Sequence, residues 1–519
     1  MNYLQNNYNI NNSLLDYKSE CEKINAIRQK LSHIIQNPMH SQQIAFERIK
    51  SQIADTEISK EFKLEKISNV SEFIKKIPIH EFNFFEPYIK KTIEGNFGQM
   101  FRGRPECYLT SSATTGTSKI IPCSKEMLDI FKTFQLELIS IMSRCSSKIS
   151  MSSINISLGA KPFLRNIDDI PQGYLSGIIG ISPPEELKKG RFPSAKTFMI
   201  DDYSERSLQI YNETKNKDVQ IIFGLPCHIL NLVHDILNIS GKQTLKEIWP
   251  NLSAIGYSGT PIENYEQALF TAIGDKVTCV GAYAATEGPM GYEFPELSDG
   301  SHTFIPTPEH VVFSFINADH PNSTPLALNE LQEGGEYNVN ISNLCGLIQY
   351  SMKDTIKVIH VKPNLTFKVL GRKDAVLNIA SEKVSQNSIL QVISNLQNKL
   401  NRVIDHFFVY PKIFDQKPRY EWILCSDNLK NITHVQLQNL LDELMMEASQ
   451  NYKNKRLESG AIQSPSVRIV PAFLTKQYFL QGSGQGQFKM KNAFANKNDF
   501  DAFWKEKIPN LEKYLENIF

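Results

Sequence analysis

The sequence predicts an α/β protein in which a large N-terminal body with a mostly parallel sheet is followed by a small C-terminal α+β domain. The first observation is that a β-rich run at residues 219–224 leads into an apolar helical stretch at 227–237. Such strand–helix alternation is typical of parallel sheets. The second is that the C-terminal part changes to a pattern of strand, helix, two strands, helix and strand. We therefore expect one domain over residues 1–372 and a second over residues 373–519.

Composition favours a globular protein that acts on small molecules. The chain has 519 residues, of which 41% are hydrophobic and 21% charged, so it can bury a sizeable core. Its formal net charge of +1 provides no field for binding nucleic acid or an anionic membrane. The eight cysteines form no CxxC pair and no zinc-like spacing, which indicates reduced packing residues. We expect a monomer or a weak dimer.

The sequence contains no targeting or membrane-spanning pattern that we recognise. The N-terminus lacks a basic start, an apolar core and a cleavage site, and the most apolar run, residues 221–233, is too short and polar to span a bilayer. We expect a cytoplasmic protein without membrane attachment. An effector secreted without a classical signal would have the same features.

The N-terminal region predicts helices that cover a larger body. Apolar residues recur at helical spacing in residues 13–48, which indicates one or two amphipathic helices. Further helical stretches at 67–79 and 88–93 are bounded by Pro78 and Pro87, which we interpret as breakers. These segments imply no chemistry.

A loop rich in hydroxyl groups follows at residues 108–122, which read YLTSSATTGTSKIIP. Short hydroxyl side chains and exposed backbone N–H groups at 111–115 can surround phosphate oxygens, Gly116 eases a tight turn, and Lys119 adds a positive charge. The alternative for an isolated match is an ordinary surface loop. Ser124 is suited to cap a helix that reaches about Met142.

The central region predicts strands whose ends carry small residues. Short apolar runs at 152–180, interrupted by glycine and proline, fit strands and loops that line a cavity, and further strands are expected at 252–257 and 276–283. These two end in the small-residue turns 258–261 and 284–288. Ligands of open α/β sheets bind beyond the carboxyl ends of strands, so both turns belong beside the hydroxyl-rich loop.

Two carboxylates are candidate ligand-binding groups. Glu287 is the sole carboxylate in its turn and could hold a magnesium ion on nucleotide phosphates, whereas the alternative is a solvated turn residue. Asp354 lies within a β-rich run at 346–358, where it could accept hydrogen bonds from both hydroxyls of a ribose.

The C-terminal pattern fits a domain of ferredoxin-like type. Its predicted elements are a strand at 376–379, a helix at 382–400, strands at 403–410 and 420–425, a helix at 435–448 and a strand at 467–470. Residues 371–374 form the junction with the body. Near the end, a Gly-rich stretch at 481–487 leads to Lys489, which lies between Phe488 and Met490 and so favours a docked segment over a plain linker.

Together these segments resemble the adenylate-forming superfamily of acyl-CoA synthetases, peptide-synthetase adenylation domains and luciferases. The sequence is most similar to a bacterial-like member of the auxin-responsive (Gretchen Hagen type) acyl acid-amido synthetases. The resemblance runs over nearly the full length, and its six motifs occur in order: TSSATTGTSKIIP (110–122), YSGTPIENY (257–265), YAATEG (283–288), GLIQYSMKD (346–354), GRKDAVLNIASEKVSQ (371–386) and GQFKMKN (486–492).

The resemblance implies an ATP site that uses magnesium. It assigns to the phosphates the residues Ser111, Ser112, Thr114, Thr115, Gly116 and Lys119. It places around adenine and the acyl carboxylate the residues Ser258, Gly259, Thr260, Tyr283 and Ala284. It puts Thr286 near the α-phosphate, and assigns the ribose to Asp354 with help from Arg372.

The resemblance also implies three catalytic residues and a hinge. Lys119 and Glu287, the latter as magnesium ligand, act with Lys489, which reaches the α-phosphate and carboxylate oxygens when a mobile C-terminal domain closes. The hinge is at Asp374. The implied reaction converts a carboxylic acid to an acyl-adenylate with release of pyrophosphate, and then transfers the acyl group to the amine of an amino acid.

The sequence departs from the family pattern at four places. Ala113, Gln349 and Lys353 stand where the family commonly has glycine, arginine and glycine, and residues 491–492 replace a Pro-Arg pair. None of these changes removes a primary catalytic group, so they bear on substrate scope and ATP affinity.

Three alternative functions are open from sequence. One is thioester formation with coenzyme A, although no basic track for its phosphates is visible. Another is a nucleotide- or acyl-binding module without turnover, against which the joint presence of Glu287, Asp354 and Lys489 argues. The third is a serine hydrolase, for which no Gly-x-Ser-x-Gly motif surrounds the candidate serines.

Overall fold

The computed structural model divides into two compact units. The residues that it describes are 2–111, 119–259, 262–263, 265–296, 302–372, 377, 379, 384–414, 417–429, 431–458, 462–482, 491–494 and 496–516. The first unit comprises Met1–Ile262, Phe270–Met352 and Lys357–Lys368, and the second comprises Glu263–Leu269, Lys353–Ile356 and Val369–Phe519. Among the described helices, none has both the length and the apolar character needed to cross a bilayer.

Twelve helices precede the C-terminal region in the described part of the chain. They are α1 (Asn2–Gln36), α2 (Pro38–Gln52), α3 (Glu57–Phe62), α4 (Val70–Lys76), α5 (Phe82–Ile93), α6 (Lys125–Cys145), α7 (Leu175–Ile181), α8 (Glu185–Lys188), α9 (Ala195–Phe198), α10 (Tyr203–Thr214), α11 (Pro226–Ser240) and α12 (Glu266–Ile273). Short 3₁₀ turns lie at Leu64–Lys66, Leu245–Glu247 and Leu328–Glu330.

Fifteen described strands lie in the same part of the chain. They are β1 (Cys107–Thr110), β2 (Ile120–Cys123), β3 (Ile154–Ser157), β4 (Arg165–Ile167), β5 (Ile170–Tyr174), β6 (Arg191–Phe192), β7 (Val219–Gly224), β8 (Ala254–Ser258), β9 (Thr278–Ala285), β10 (Gly288–Glu293), β11 (Phe304–Pro306), β12 (Val312–Asn317), β13 (Glu336–Ser342), β14 (Tyr350–His360) and β15 (Thr366–Arg372).

The strands form a small sheet and a large one. The small sheet has the order β2-β1-β5-β4, and the large one has eleven strands in the order β12-β13-β14-β15-β11-β10-β9-β8-β7-β3-β6. In the part of the large sheet with the order β9-β8-β7-β3-β6, all neighbouring strands are parallel. The pairs β9–β10, β10–β11, β11–β15 and β12–β13 are antiparallel. The predicted α/β fold is confirmed, and its sheet is mixed because the chain returns after β9 through a short turn, which joins only antiparallel strands.

The long helix α6 packs against the parallel part of the large sheet. The Ser124 side chain accepts a hydrogen bond from the Met127 N–H at 3.1 Å, so the predicted N-cap is confirmed. One face of α6, including Phe134 and Leu138, shares a buried cluster with strand residues such as Val280. Because α6 starts directly after β2, its packing fixes the position of the β1–β2 hairpin.

The prediction that Pro87 breaks a helix is wrong. Pro87 lies inside α5, whose buried face carries Phe85, Ile89 and Thr92. Proline lacks the N–H group that would continue the helical ladder, but burial of an apolar face supplies most helical stability in proteins. Packing therefore outweighs the local preference.

The second unit continues with three strands and six helices among its described residues. They are α13 (Gln386–Leu400), β16 (His406–Phe414), β17 (Lys417–Cys425), α14 (His434–Ala448), α15 (Gln450–Lys453), β18 (Ser466–Val470), α16 (Phe473–Gly482), α17 (Lys497–Lys507) and α18 (Glu512–Glu516). A π-helical turn at Asn454–Glu458 and a 3₁₀ turn at Pro509–Leu511 complete it.

The sheet of the second unit has the order β16-β17-β18 and is covered on both faces. Val409, Trp422 and Leu424 pack with α13 and α14, whereas the alternate residues Phe408 and Ile423 pack with α16 and α17. This alternation is the period of a strand. Of the predicted strand at 376–379, residues 376 and 378 lie outside the described residues, and Leu377 forms an isolated bridge with Val384.

A partly buried acid in the second unit makes stability depend on pH. Burial, together with the nearby Asp427 carboxylate, raises the pKa of Asp405 to about 6. Because this pKa is higher in the folded than in the unfolded chain, the folded state loses stability as pH rises from about 4 through 6. We expect Asp405→Asn to stabilise the protein at pH 8 by on the order of 2–3 kcal/mol and to have little effect at pH 4.

Urea unfolding followed by tryptophan fluorescence at both pH values measures this difference. Asp427→Asn serves as the control. At pH 8 it should give only the smaller part of the stabilisation, which comes from removing the repulsion between the Asp405 and Asp427 carboxylates. Equal stabilisation by Asp405→Asn at pH 4 and pH 8 would contradict the prediction.

Candidate active site

The hydroxyl-rich loop is closed at its base by two hydrogen bonds. Strands β1 and β2 are antiparallel, with Thr110 opposite Ile120. Beyond this pair, the Ser111 N–H donates to the Lys119 carbonyl at 3.0 Å and the Lys119 N–H donates to the Ser111 Oγ at 3.2 Å. The intervening candidates lie outside the described residues: Ser112, Ala113, Thr114, Thr115 and Gly116.

The ammonium group of Lys119 is held between two aromatic residues. Its Nζ donates a hydrogen bond to the Tyr350 hydroxyl at 2.8 Å and lies 4.9 Å from the centroid of the Phe82 ring. A cation over an aromatic face is stabilised by the ring quadrupole. The positive charge is therefore oriented before any ligand binds.

Glu287 occupies the two-residue turn between β9 and β10 and is buried, so the alternative of a solvated turn residue is wrong. Its Oε1 accepts a hydrogen bond from the Tyr350 hydroxyl at 3.2 Å. Its backbone carbonyl accepts one from the Asn343 Nδ2 at 2.6 Å. The carboxylate is thus fixed through both its side chain and its backbone.

Tyr350 connects these two charged groups and was not singled out from the sequence. Its ring is buried, and its hydroxyl accepts from Lys119 and donates to Glu287. The backbone of His80 pairs on either side of it, by hydrogen bonds with Gln349 at 2.8 Å and Ser351 at 2.9 Å. The available signal was a tyrosine in the GLIQYSMKD segment, but its partners are distant in sequence.

The predicted adenine turn lies at the carboxyl ends of two adjacent parallel strands. Ser258 ends β8 opposite Ala282 of β9, so Gly259 lies near Tyr283 and Ala284 along the same edge. Gly259 has a φ of 79°, which glycine adopts without steric cost. Thr260 lies outside the described residues.

The edge of β9 presents an aromatic group. The ring of Tyr283 lies 6.1 Å from that of Phe304 and 5.9 Å from that of Phe367, centroid to centroid. Thr286, two residues beyond Ala284, is buried beside Glu287. Stacking surfaces of this kind bind planar rings.

A buried carboxylate stabilises this edge of the sheet by hydrogen bonds to two strands. Glu293 on β10 accepts hydrogen bonds through its Oε2 from the Tyr257 hydroxyl at 2.8 Å and the Gly281 N–H at 2.6 Å. It thereby ties β8 to β9 beside Ser258. Sequence reasoning did not identify this support.

The remaining candidates belong to the second unit or lie outside the described residues. Asp354 lies on β14 in the stretch Lys353–Ile356, which clusters with the second unit. Arg372 is the last residue of β15, while Asp374 and Lys489 lie outside the described residues. Their roles stay predictions.

The structure shows the surroundings of two of the departures from the family pattern. The Gln349 amide is buried and bonded within the core: it donates to the Ile74 carbonyl at 3.1 Å and accepts from the Ser314 hydroxyl. Lys353 has a φ of 59°, a region that favours glycine. Its backbone is thus in a conformation that the family's glycine adopts without strain.

The residues present fit a magnesium ion. The Tyr350 bond uses Oε1 of Glu287, and no hydrogen bond to its Oε2 is formed by the residues that the structure describes. Magnesium prefers carboxylate oxygens and is commonly held by one or two of them together with phosphate oxygens.

Two solved structures illustrate the fold that this chain shares. AtGH3.15 acyl acid amido synthetase, in complex with 2,4-DB, aligns with a TM-score of 0.75 at 16% identity and covers 93% of this chain and 96% of its own. A 2-hydroxyisobutyryl-CoA ligase in the postadenylation state aligns with a TM-score of 0.57 at 11% identity, covering 94% and 92%. The predicted fold class, with a large N-terminal and a smaller C-terminal domain, is therefore confirmed.

The chain belongs to the GH3 family. It matches the GH3 family N-terminal domain over residues 27–175, the central domain over 304–371 and the C-terminal domain over 387–498, which together span more than half of its length. The family predicted from the sequence is thereby confirmed.

Curated relatives match over different lengths. An indole-3-acetic acid-amido synthetase GH3.4 from Arabidopsis thaliana is 21% identical over 85% of this chain and 86% of the relative. A 4-substituted benzoates-glutamate ligase GH3.12 from the same plant is 25% identical over 52% of this chain, which spans about half (51%) of that relative.

Proposed function

We propose that this protein is an ATP-dependent acyl acid-amido synthetase. It activates a carboxylic acid as an acyl-adenylate and transfers the acyl group to the amine of an amino acid. The observation that carries the proposal is the Lys119–Tyr350–Glu287 network at the base of the hydroxyl-rich loop. The names of the GH3 relatives support the same class of enzyme, a ligase that forms an amide.

In the first step, a carboxylate oxygen of the acid attacks the α-phosphorus of ATP. A phosphorus–oxygen bond forms, the bond to the bridging oxygen breaks, and pyrophosphate leaves with that electron pair. Negative charge grows on the phosphate oxygens. Lys119 stabilises this charge without reorganising, because Tyr350 and Phe82 already hold its ammonium group.

Glu287 is the proposed magnesium ligand. When bound, the ion neutralises charge on the phosphate oxygens. The hydroxyl of Tyr350 keeps the Glu287 carboxylate at a fixed position relative to the Lys119 ammonium group. The Tyr350 side chain thereby sets the distance between the proposed metal ligand, Glu287, and the proposed phosphate-binding lysine, Lys119.

The nucleoside half of ATP is assigned to the edge of β8 and β9. The Tyr283 ring and the small residues Ser258 and Gly259 provide a flat surface and close backbone approach for adenine. Asp354, with Arg372, is proposed for the ribose.

In the second step, the amine nitrogen of an amino acid attacks the acyl carbon. The carbon–nitrogen bond forms as the bond to AMP breaks, AMP leaves with the electron pair, and the amine loses a proton. The roles of Lys489 as a catalytic lysine and of Asp374 as a hinge rest on the family resemblance alone. The proposal includes the domain division at residue 372, a cytoplasmic location and a monomeric or weakly dimeric state.

Pyrophosphate release is the direct test of adenylation. With ATP and magnesium, a panel of carboxylic acids should show release that requires an acid and rises when amino acids are added. We expect Lys119→Ala, Glu287→Gln and Lys489→Ala each to lower the rate roughly 10²–10³-fold, because each removes a group that stabilises charge in the transition state.

Lys125→Ala is the matched control, because this lysine lies close in sequence and its side chain is 74% exposed. It should retain the wild-type rate. Thioester formation when coenzyme A replaces the amino acids would contradict the proposed second step. A protein that binds ATP but is silent across the panel would contradict the proposed activity altogether.

Replacing Tyr350 tests the network itself. Tyr350→Phe removes only the hydroxyl that links Lys119 to Glu287. We expect a fall of roughly 10- to 100-fold in kcat and a higher magnesium requirement, since each hydrogen bond to a charged group contributes about 1.5–3 kcal/mol.

Tyr337→Phe makes the same chemical change elsewhere, because that buried hydroxyl accepts a hydrogen bond from the Gln332 N–H at 3.1 Å. Steady-state kinetics and thermal melting are measured on both variants. If the two variants lose equal activity, or if Tyr350→Phe loses activity only in proportion to stability, the positioning role of Tyr350 is refuted.

A further inference from the structure

A second cluster of polar and charged side chains, most of them buried, lies in the first unit, and the proposed reaction does not use it. It joins Lys30 on α1, Glu137 on α6, Tyr292 on β10, and the adjacent residues Glu309 and His310 before β12. Ligand atoms of Glu137, Glu309 and His310 all lie within 4.8 Å of one another.

Glu137 and His310 face each other at the centre of the cluster. The Oε2 of Glu137 lies 2.7 Å from His310 Nε2 and accepts a hydrogen bond from the Tyr292 hydroxyl. That hydroxyl is itself 3.0 Å from the same ring nitrogen. Three atoms that can each donate an electron pair to a cation therefore converge on one point.

Glu309 is the member of the cluster whose carboxylate oxygens lack hydrogen-bond partners. Its side chain is 9% exposed, and neither carboxylate oxygen accepts a hydrogen bond from any other residue that the structure describes. Burial raises the pKa of the Glu309 carboxyl. Its Oε1 points at the cluster and lies 3.4 Å from His310 Nε2. Buried carboxylates are normally paired or bound to a metal.

We propose that Glu137, Glu309 and His310 bind a divalent transition metal, with zinc as the ion that fits best. One imidazole nitrogen and two carboxylate oxygens are a donor set that zinc accepts. Two ligands with bond lengths of about 2.1 Å in a tetrahedral arrangement lie about 3.4 Å apart, which is the separation of the Glu309 and His310 atoms.

Two rearrangements accompany binding. The ion replaces the proton that now lies between Glu137 and His310, so these two atoms separate to the spacing of metal ligands. Lys30, whose Nζ is 3.1 Å from Glu137 Oε1, leaves towards solvent or stays on that outer oxygen, because its side chain is 50% exposed. Two carboxylates then balance the charge of the ion.

The proposed ion has a structural role. It joins α6, which follows directly on β2, to the segment between β11 and β12. This inference does not rest on the proposed enzymatic function, and its test needs no substrate.

Metal binding is measured on the full-length chain, purified without a histidine tag and stripped with a chelator. We expect isothermal titration with zinc chloride to give one high-affinity site per chain and bound zinc to raise the melting temperature by several degrees, with magnesium chloride having no such effect. Cobalt substitution should produce the visible absorption of a tetrahedral site.

Glu309→Gln preserves the size and shape of the side chain but removes its negative charge. It should lower zinc affinity at least 10-fold and abolish the rise in melting temperature that zinc causes. Glu333→Gln, at a side chain that is 62% exposed, is the control and should bind as wild type does. His310→Ala should abolish binding if it folds. Absence of a site in the wild type, or equal zinc affinity in wild type and Glu309→Gln, overturns the proposal and leaves a cluster that only shares protons.

Discussion

The hydroxyl of Tyr350 is the point on which the candidate active site depends. It lies between an ammonium group and a carboxylate, and the three residues come from segments that are far apart in the sequence. Each segment is held by its own neighbours: the hairpin β1–β2 by α6, the β9–β10 turn by Asn343, and the start of β14 by His80. The two hydrogen bonds therefore form together only when all three segments are correctly placed, because a displacement of any one segment breaks at least one bond.

Much of the fold was predictable because its signals are local. Ser124 caps its helix through the next turn, and β7 and α11 follow from hydrophobic periodicity and length. The family followed from six short motifs in order. Predictions failed where distant packing decides the outcome: Pro87 remains helical because its helix buries an apolar face, and the antiparallel half of the large sheet depends on how short one turn is.

The site was predictable in its charged members but not in what positions them. Lys119 and Glu287 have the residue types that phosphate and magnesium require, so motif chemistry selected them. Tyr350 and Asn343 act through contacts with residues more than fifty positions away, and no local pattern reports such contacts. The same holds for Glu309 and His310, whose partner Glu137 comes from a different element.

The pairing of Ser111 with Lys119 at the ends of the hydroxyl-rich loop means that mutations inside the loop and mutations in its flanking strands affect the β1–β2 register differently. Ser111 and Lys119 occupy the rung of the β1–β2 ladder beyond Thr110 and Ile120, so residues between them can be exchanged, added or lost while both ends stay in register. A single-codon deletion within β2 would instead shift the strand by one residue and turn each side chain to the opposite face. Register alone therefore permits the alanine at position 113, whereas the phosphate-binding role proposed for the loop constrains its side chains separately.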